Sequence, residues 1–374
     1  MTVETPWNER DVRRAVVYGL GLSGRAASRL LLALGARVVG VDARPAEALD
    51  LGDLAGQAGF ELRAGGEPGE LPAGIDAVVV SPGVPLDRPL LADARRLGVP
   101  VLAEVELAVP FLDGPLVGIT GSNGKSTTTA LAGAMLRAGG FDVSVCGNIG
   151  TPLSAEVDAA VVASGAGLSA AGGPGPDEPD QAGRVYVVEL SSFQLQAVRH
   201  LRPRAAALLN LAADHLDRHG GLEAYGAAKR RIFENQGPED VAVVNADDPL
   251  VRDTVVRARR RAFSLAGPVD DGCFLEPGPD GSRVLERGAA EAPGDAVELF
   301  RPEESPLAGR HNLANAMAAA LLARALGATA PACRRGLAAL RGLPHRMERV
   351  AEAGGVAWYD DSKGTNPAAT LGCL

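Results

Sequence analysis

The ten residues from Gly118 to Thr127, GITGSNGKST, restrict this chain more than any other stretch. They follow the apolar run Leu116 to Ile119 and lead into a helix-like segment from Thr127 to Arg137. A glycine-bearing turn between a buried strand and a helix leaves several backbone N–H groups free, and together these form an anion cradle. Lys125 adds a cation, and Ser126 adds a hydroxyl of the kind that holds magnesium beside a triphosphate. Gly121, Ser122, Asn123, Gly124, Lys125, Ser126 and Thr127 are therefore the expected ATP-binding residues. The spacing departs from a strict GxxxxGK[ST] loop, because Ile119 stands where the first glycine belongs and the glycine sits one residue earlier, at Gly118.

A second glycine turn, Gly19 to Gly24 (GLGLSG), follows the apolar run AVVY at Ala15 to Tyr18. It opens a segment of helical spacing, Arg25 to Leu34, which Gly35 stops. The next apolar run, RVVGV, ends at Asp42. A strand, a GxGxxG turn, a helix and an acid closing the next strand form the context of a dinucleotide site. The same residues also suit a tight strand-to-helix turn that binds nothing.

The alternation continues. AVVV at Ala77 to Val80, VYVVEL at Val185 to Leu190, AAALL at Ala205 to Leu209 and VAVV at Val241 to Val244 read as buried strands, and Asn312 to Leu326 reads as a helix. The expected fold class is α/β with parallel sheets. Gly267 to Gly294 suggests hairpins, and Glu348 to Tyr359 suggests a strand, a Gly354-Gly355 turn and a second strand. Ser164 to Gly183 is rich in Gly, Ala, Pro and acid and reads as a surface insertion.

Composition narrows the partners. A chain of 374 residues is long enough for two or three domains. Its formal net charge of −9 argues against a broad basic surface for nucleic acid or anionic lipid, so any anion must be held locally. Cys146, Cys273, Cys333 and Cys373 form no CxxC pair, which points away from a disulfide framework or a zinc site. MTVETPWNERD lacks the apolar core of a signal peptide, and no apolar run has the length of a membrane span. A cytoplasmic, monomeric protein is expected.

Three further residues bear on a metal site. Glu189 ends the strand VYVVEL, and His215 follows the strand AAALL; in a parallel sheet both would open on the edge that carries the phosphate loop. Oxygen suits magnesium better than imidazole does. By chemistry alone, Glu189 is either a ligand or a strand-end carboxylate, and His215 either a ligand or a surface histidine. Lys229, within AAKRRIFEN, reads as part of a solvated basic helix face. A nicotinamide-dependent oxidoreductase built on GLGLSG and Asp42 leaves GITGSNGKST, Glu189 and His215 without a task. An ATP-dependent ligase holding a nucleotide-linked substrate uses both loops. A non-catalytic nucleotide-binding module is the third reading.

The motifs VELSSFQL, NLAADHLDRHG, AAKRRIFEN, VVNADD, GRHNLANA, GLPHRMERV and DDSKGTN occur in the order seen in the Mur ligases, and the chain resembles that family from about Ala15 to Asn366. SSFQL, GLGLSG and SPGV make it most similar to the branch that adds D-glutamate to UDP-N-acetylmuramoyl-L-alanine. A sister ligase for another amino acid is the alternative. The resemblance implies a Rossmann-like domain over 1–103 that binds UDP rather than NAD, a central ATP-binding domain over 104–342, and a third domain beginning at 343. It implies Leu22, Ser23, Asp42, Arg44, Gly83, Asn148, Ser191 and Gln194 on the UDP-substrate side. Asn312, Asn315, Arg346 and Asp361 would lie near the nucleotide, with Lys363 and Thr365 on the phosphate and D-glutamate side. It further implies one magnesium near Ser126 and Glu189, and a second held by His215 and a carbamylated Lys229, which reverses the reading of Lys229 as solvated. Lys125, Glu189, His215 and Lys229 become the catalytic set. The family continues beyond DSK-x-TN where this chain reads NPAATLGCL. The expectation is therefore a chain cut within its third domain, weak in amide formation, with Leu343 to Leu374 exposing apolar surface and poorly ordered.

Overall fold

The computed structural model describes residues 12–157, 183–289, 292, 295–364, 366–367 and 370. The N-terminal segment, the expected insertion apart from Gly183, Thr365 and Cys373 lie outside the described residues. The chain divides into two compact units. One draws on Met1–Pro115, Cys146–Gly183 and Leu190–Leu201; the other on Leu116–Val145, Arg184–Glu189 and Arg202–Leu374.

In the first unit, β1 (Arg14–Tyr18), β2 (Arg37–Asp42), β3 (Phe60–Ala64), β4 (Ala77–Val80) and β5 (Val101–Ala103) form a five-stranded sheet in the order β3-β2-β1-β4-β5. All of its strand pairs are parallel. Strands buried on both faces need continuous apolar runs, which AVVY and AVVV supply. Helix α1 (Leu22–Ala33) packs Ala27, Leu30 and Leu31 onto β1 and β2, and Gly35 follows it at φ +82°, a left-handed stop that glycine adopts without strain. Helix α2 (Pro89–Arg96) begins on a proline, whose missing N–H is no loss in a first turn.

The glycine turn before α1 is dictated by crowding. A Cβ on Gly24 would lie 1.8 Å from the Gly19 carbonyl oxygen, and Gly19 itself sits at φ +88°. Ser81 Oγ donates to that same carbonyl at 2.6 Å.

The second unit is built on a nine-stranded sheet. Its strands are β6 (Leu116–Thr120), β7 (Val143–Gly147), β8 (Val185–Glu189), β9 (Ala205–Leu208), β10 (Val241–Asn245), β11 (Arg259–Ser264), β12 (Gly272–Glu276), β13 (Arg283–Arg287) and β14 (Val297–Phe300). The order is β14-β13-β12-β11-β10-β9-β6-β8-β7. The pairs from β8 through β6, β9, β10 and β11 to β12 are parallel, while β12-β13 and β13-β14 are antiparallel; β12-β13 falls within the stretch from Gly267 to Gly294 where hairpins are expected, and β14 lies beyond it.

Helix α3 (Lys125–Ala138) follows the phosphate loop, and α5 (Arg310–Ala325) and α6 (Ala330–Ala339) pack against it; between them in sequence lies α4 (Leu222–Arg230). The alanine run of α5 is buried from Ala316 to Ala323. Small side chains let helix backbones approach, and a Cβ on Gly336 would fall 2.4 Å from the Cα of Met135. A hairpin of β15 (Glu348–Ala353) and β16 (Val356–Asp360) follows, turning at Gly354-Gly355 as its sequence suggests. Val350, Val356, Trp358 and Tyr359 on it are each more than half exposed, in line with the apolar surface expected there.

Candidate functional site

The sheet register of the second unit sets its site. Ile119 of β6 pairs with Glu189 of β8, and Thr120 pairs with Leu208 of β9. The C-terminal ends of β6, β8 and β9 therefore lie side by side on one sheet edge, where ligands bind in open parallel folds. Gly118 is not part of this edge. It lies buried within β6, where a Cβ would press on Ile232 and Pro203 at 3.1 Å, so its place in the motif reflects packing.

The phosphate loop is tied down by backbone geometry and by Asn210. Asn210 O accepts from Ser122 N at 3.0 Å, Asn210 Oδ1 accepts from Asn123 N at 2.8 Å, and Asn210 Nδ2 donates to Asn123 O at 3.0 Å. Gly124 stands at φ +83°, and a Cβ there would lie 2.2 Å from Asn315 Oδ1, so Asn315 covers the loop. Asn312 holds Ala308 O through Nδ2 and receives Asn315 Nδ2 at 3.4 Å. Thr127 lies in the first turn of α3, half-buried.

Two amino groups converge on one atom of this loop. Lys125 Nζ donates to Gly121 O at 3.0 Å and to Ser122 O at 2.8 Å, and Lys229 Nζ donates to Gly121 O at 2.8 Å. Lys229 is only 1% exposed, which corrects its reading as a solvated basic residue. The amphipathic period of α4 turns Tyr225, Ala228 and Lys229 inward together. Burial, then the neighbouring Lys125, pushes the Lys229 amine well below its ordinary range. Burial lowers Lys125 too, against the opposing pull of Glu189.

Ser126 Oγ donates to Glu189 Oε2 at 2.6 Å, and Arg346 Nη2 donates to Ser126 Oγ at 2.7 Å. Glu189 is buried. His215 takes a left-handed backbone at φ +50° and its Nε2 lies 3.8 Å from Asp214 Oδ2. Asp361 Oδ1 accepts from Met347 N at 3.2 Å, while the Lys363 side chain is exposed.

Tyr225 carried no sequence signal, and Asn366 was marked only as the last residue of DDSKGTN. Tyr225 OH lies 3.1 Å from Ser122 Oγ, and Lys229 Nζ sits 4.6 Å above the centre of its ring. Burial raises the Tyr225 phenol to about 12. Asn366 Nδ2 donates to Asn123 Oδ1 at 3.1 Å and to Asp214 Oδ2 at 3.3 Å. Ser122 Oγ accepts from Ala212 N at 2.9 Å.

The first unit has its own cavity, about 480 Å³ in volume, in the range of small-molecule sites. Leu22, Ser23, Asp42, Arg44, Gly83 and Asn148 all line it. Asp42 Oδ2 accepts from Leu20 N at 2.7 Å, and Arg44 grips both carboxylate oxygens, Nε to Oδ1 and Nη2 to Oδ2, at 2.9 Å. The Arg44 hydrogen bond is the main reason the carboxyl is held at about 2. A carboxylate so occupied is a poor acceptor for a dinucleotide's ribose hydroxyls. Ser191 and Gln194 do not line the cavity. They close a capping box, with Ser191 N donating to Gln194 Oε1 at 2.9 Å and Gln194 N to Ser191 Oγ at 3.2 Å.

Comparison with known proteins bears on both units. A Mur ligase middle-domain profile matches residues 119–323, and a Mur ligase MurD-like N-terminal-domain profile matches 13–103. The UDP-N-acetylmuramoylalanine--D-glutamate ligase of Anaeromyxobacter dehalogenans is 46% identical over 366 residues, 96% of this chain and 73% of the relative. Its Myxococcus xanthus counterpart is 44% identical over 373 residues, 97% of this chain and 75% of the relative. A murein peptide ligase from Psychrobacter arcticus shares the fold at a TM-score of 0.57 and 21% identity, covering 93% of this chain and 72% of that one.

Proposed function

We propose, for a chain that belongs to the Mur ligase family, that it joins D-glutamate to UDP-N-acetylmuramoyl-L-alanine in an ATP-dependent, ADP-forming reaction of peptidoglycan synthesis. The observation that carries the ATP-dependent chemistry is the convergence of Lys125 and Lys229 on Gly121 O, beside the Ser126–Glu189 pair. Among the described residues neither amine is hydrogen-bonded to a carboxylate, which leaves both able to donate to an anion, and the loop N–H groups suit phosphate. The choice of D-glutamate rests on the names of the two curated relatives.

The reaction runs in two steps. An oxygen of the L-alanyl carboxylate attacks the γ-phosphorus of ATP, the bond to the bridging oxygen breaks, and ADP leaves an acyl phosphate. The amine of D-glutamate then attacks the acyl carbon, loses a proton and expels inorganic phosphate. Lys125 positions and offsets charge on the transferring group, work that accounts for most catalysis of this type. Asn210 and Gly124 hold the loop backbone in the binding geometry without reorganisation.

Ser126 Oγ and Glu189 offer the hard oxygen donors that magnesium takes, and we assign a magnesium to them. When bound, it would supply charge neutralisation at the phosphate oxygens. As an amine, Lys229 offers nitrogen where magnesium takes oxygen, and it donates to Gly121 O. Its depressed basicity favours the neutral amine, the form that adds carbon dioxide with loss of a proton to give a carbamate. Lys229 and His215 would hold a second magnesium in that form only. Asn312, Asn315, Arg346 and Asp361 are assigned to ATP, and Lys363 and Thr365 to the phosphate and D-glutamate side.

The cavity of the first unit is assigned to the UDP portion. The occupied Asp42 carboxylate argues against the oxidoreductase reading. We assign the domains to 1–103, 104–342 and 343–374, and the protein to the cytoplasm as a monomer. Among the described residues, no helix is long and apolar enough to cross a membrane.

ADP release tests the reading. With UDP-N-acetylmuramoyl-L-alanine and ATP–magnesium present, D-glutamate is expected to drive turnover, and L-alanine, diaminopimelate, lysine and D-alanyl-D-alanine are not. Equal turnover with diaminopimelate or lysine would move the assignment to a sister ligase.

A further inference from the structure

The cavity of the first unit is lined by four charged side chains, Asp42, Arg44, Glu67 and Arg88, and they form two ion pairs of different character. The Asp42–Arg44 pair is locked. Asp42 is 6% exposed, its carboxylate also accepts from Leu20 N and Arg44 N, and Arg44 grips it with two nitrogens. Releasing Arg44 would leave a buried carboxylate short of donors, which is costly.

The Glu67–Arg88 pair is loose. Its side chains are 37% and 38% exposed, and one nitrogen, Arg88 Nη1, makes the contact, at 2.8 Å to Oε1 and 3.0 Å to Oε2. Pairs this accessible are worth little and exchange partners readily. The four charges sum to zero, so among the described residues the cavity at rest presents no free side-chain cation to an anion. An anionic ligand gains one by displacing Glu67 from Arg88. A diphosphate is a stronger partner than a single carboxylate, because it carries more charge and accepts two parallel guanidinium hydrogen bonds.

We propose that Arg88 is an exchangeable phosphate-binding cation of this cavity, held at rest by Glu67, so that the pair sets how strongly the diphosphate of a nucleotide-linked substrate is favoured over an uncharged nucleoside. This rests on the reading of the cavity as the UDP site and adds the residues that discriminate by charge. Arg88 stands just before α2 with no side-chain capping bond to it, and Glu67 belongs to the loop after β3, so neither side chain lies in the sheet.

The pair makes opposite-signed expectations. Titration calorimetry of the full chain with UDP and with uridine reads them directly. Arg88→Ala is expected to weaken UDP about tenfold, and Glu67→Gln to tighten it severalfold, with uridine affinity unchanged in both. The Arg88→Ala chain should also show a shallower loss of UDP affinity between low and high salt. UDP affinity unchanged in Arg88→Ala, or uridine weakened in parallel with UDP, would overturn the proposal while leaving the UDP site intact. A parent chain that binds neither ligand would remove the UDP reading and this proposal with it. Circular dichroism and melting of both variants guard against a folding defect, and Arg88→Lys, which keeps the charge but loses the planar fork, is expected to recover part of the UDP affinity.

Discussion

Ser126 Oγ lies 2.6 Å from Glu189 Oε2, a contact between residues 63 apart that is made because β6 and β8 are neighbours in register. The hydroxyl donates to the carboxylate and also accepts from Arg346 Nη2 at 2.7 Å. Glu189→Gln keeps the shape and removes the charge. We expect kcat to fall on the order of a hundredfold or more, the size seen when one preorganised electrostatic group is removed, with the melting temperature close to that of the parent. A stopped assay of ADP release beside a thermal melt checks both halves.

Lys229 places an amine where folding disfavours its charged form. The unfolded chain, with an ordinary lysine, binds the proton more tightly than the folded chain does. The contribution of this group to stability therefore rises with pH, from the depressed folded value up to the unfolded one near 10.5. Lys229→Met removes that dependence. Relative to Lys229→Met, the parent is expected to gain stability as pH goes from 7 to 9.5, and the variant to lose activity. Paired melts across that range give the sign.

Tyr225 touches Ser122 with its hydroxyl and Lys229 with its ring. Phenylalanine keeps the second contact and drops the first. Tyr225→Phe is expected to cost about 1 kcal/mol of stability and to raise KM for ATP severalfold with kcat little changed. Tyr225→Leu loses the ring face too and should lower kcat in addition. Steady-state kinetics on both variants separates the two contacts; identical kinetics for Phe and Leu would show that the ring does not position Lys229.

Gly124 combines a left-handed backbone with the closest approach in the loop. Gly124→Ala should destabilise the chain by about 1–3 kcal/mol and weaken ATP. Adding Asn315→Ala relieves the contact with Asn315 Oδ1 but leaves the φ strain, so urea denaturation of the double variant should recover part of the loss.

Much of this is legible in the sequence alone. GITGSNGKST and GLGLSG announce themselves because glycine spacing and apolar runs are local properties of the chain, and strands such as AVVY and VYVVEL are continuous apolar segments. Other features depend on partners distant in sequence. Asn210 anchors a loop 87 residues earlier, and Lys229 reaches a carbonyl 108 residues away. The KRR run therefore reads as solvated until α4 is seen to turn Lys229 inward. Strand β11, RRRAFS, carries no apolar alternation in its first half. It is accommodated because Arg261 pairs with Glu286 and Asp271 at 2.8 Å. The pairing of Asp42 with Arg44 is two residues long in sequence, yet only geometry shows that it fills the carboxylate.

The proposed ligation requires transfer of a phosphoryl group to a carboxylate oxygen. UDP-N-acetylmuramoyl-L-alanine labelled with oxygen-18 in the alanyl carboxylate, incubated with ATP, magnesium, D-glutamate and this chain, traces that oxygen. Mass spectrometry of the released inorganic phosphate is expected to show one labelled oxygen per amide formed, and none when Lys125 is replaced by alanine. Amide formed together with unlabelled phosphate would contradict the acyl-phosphate route.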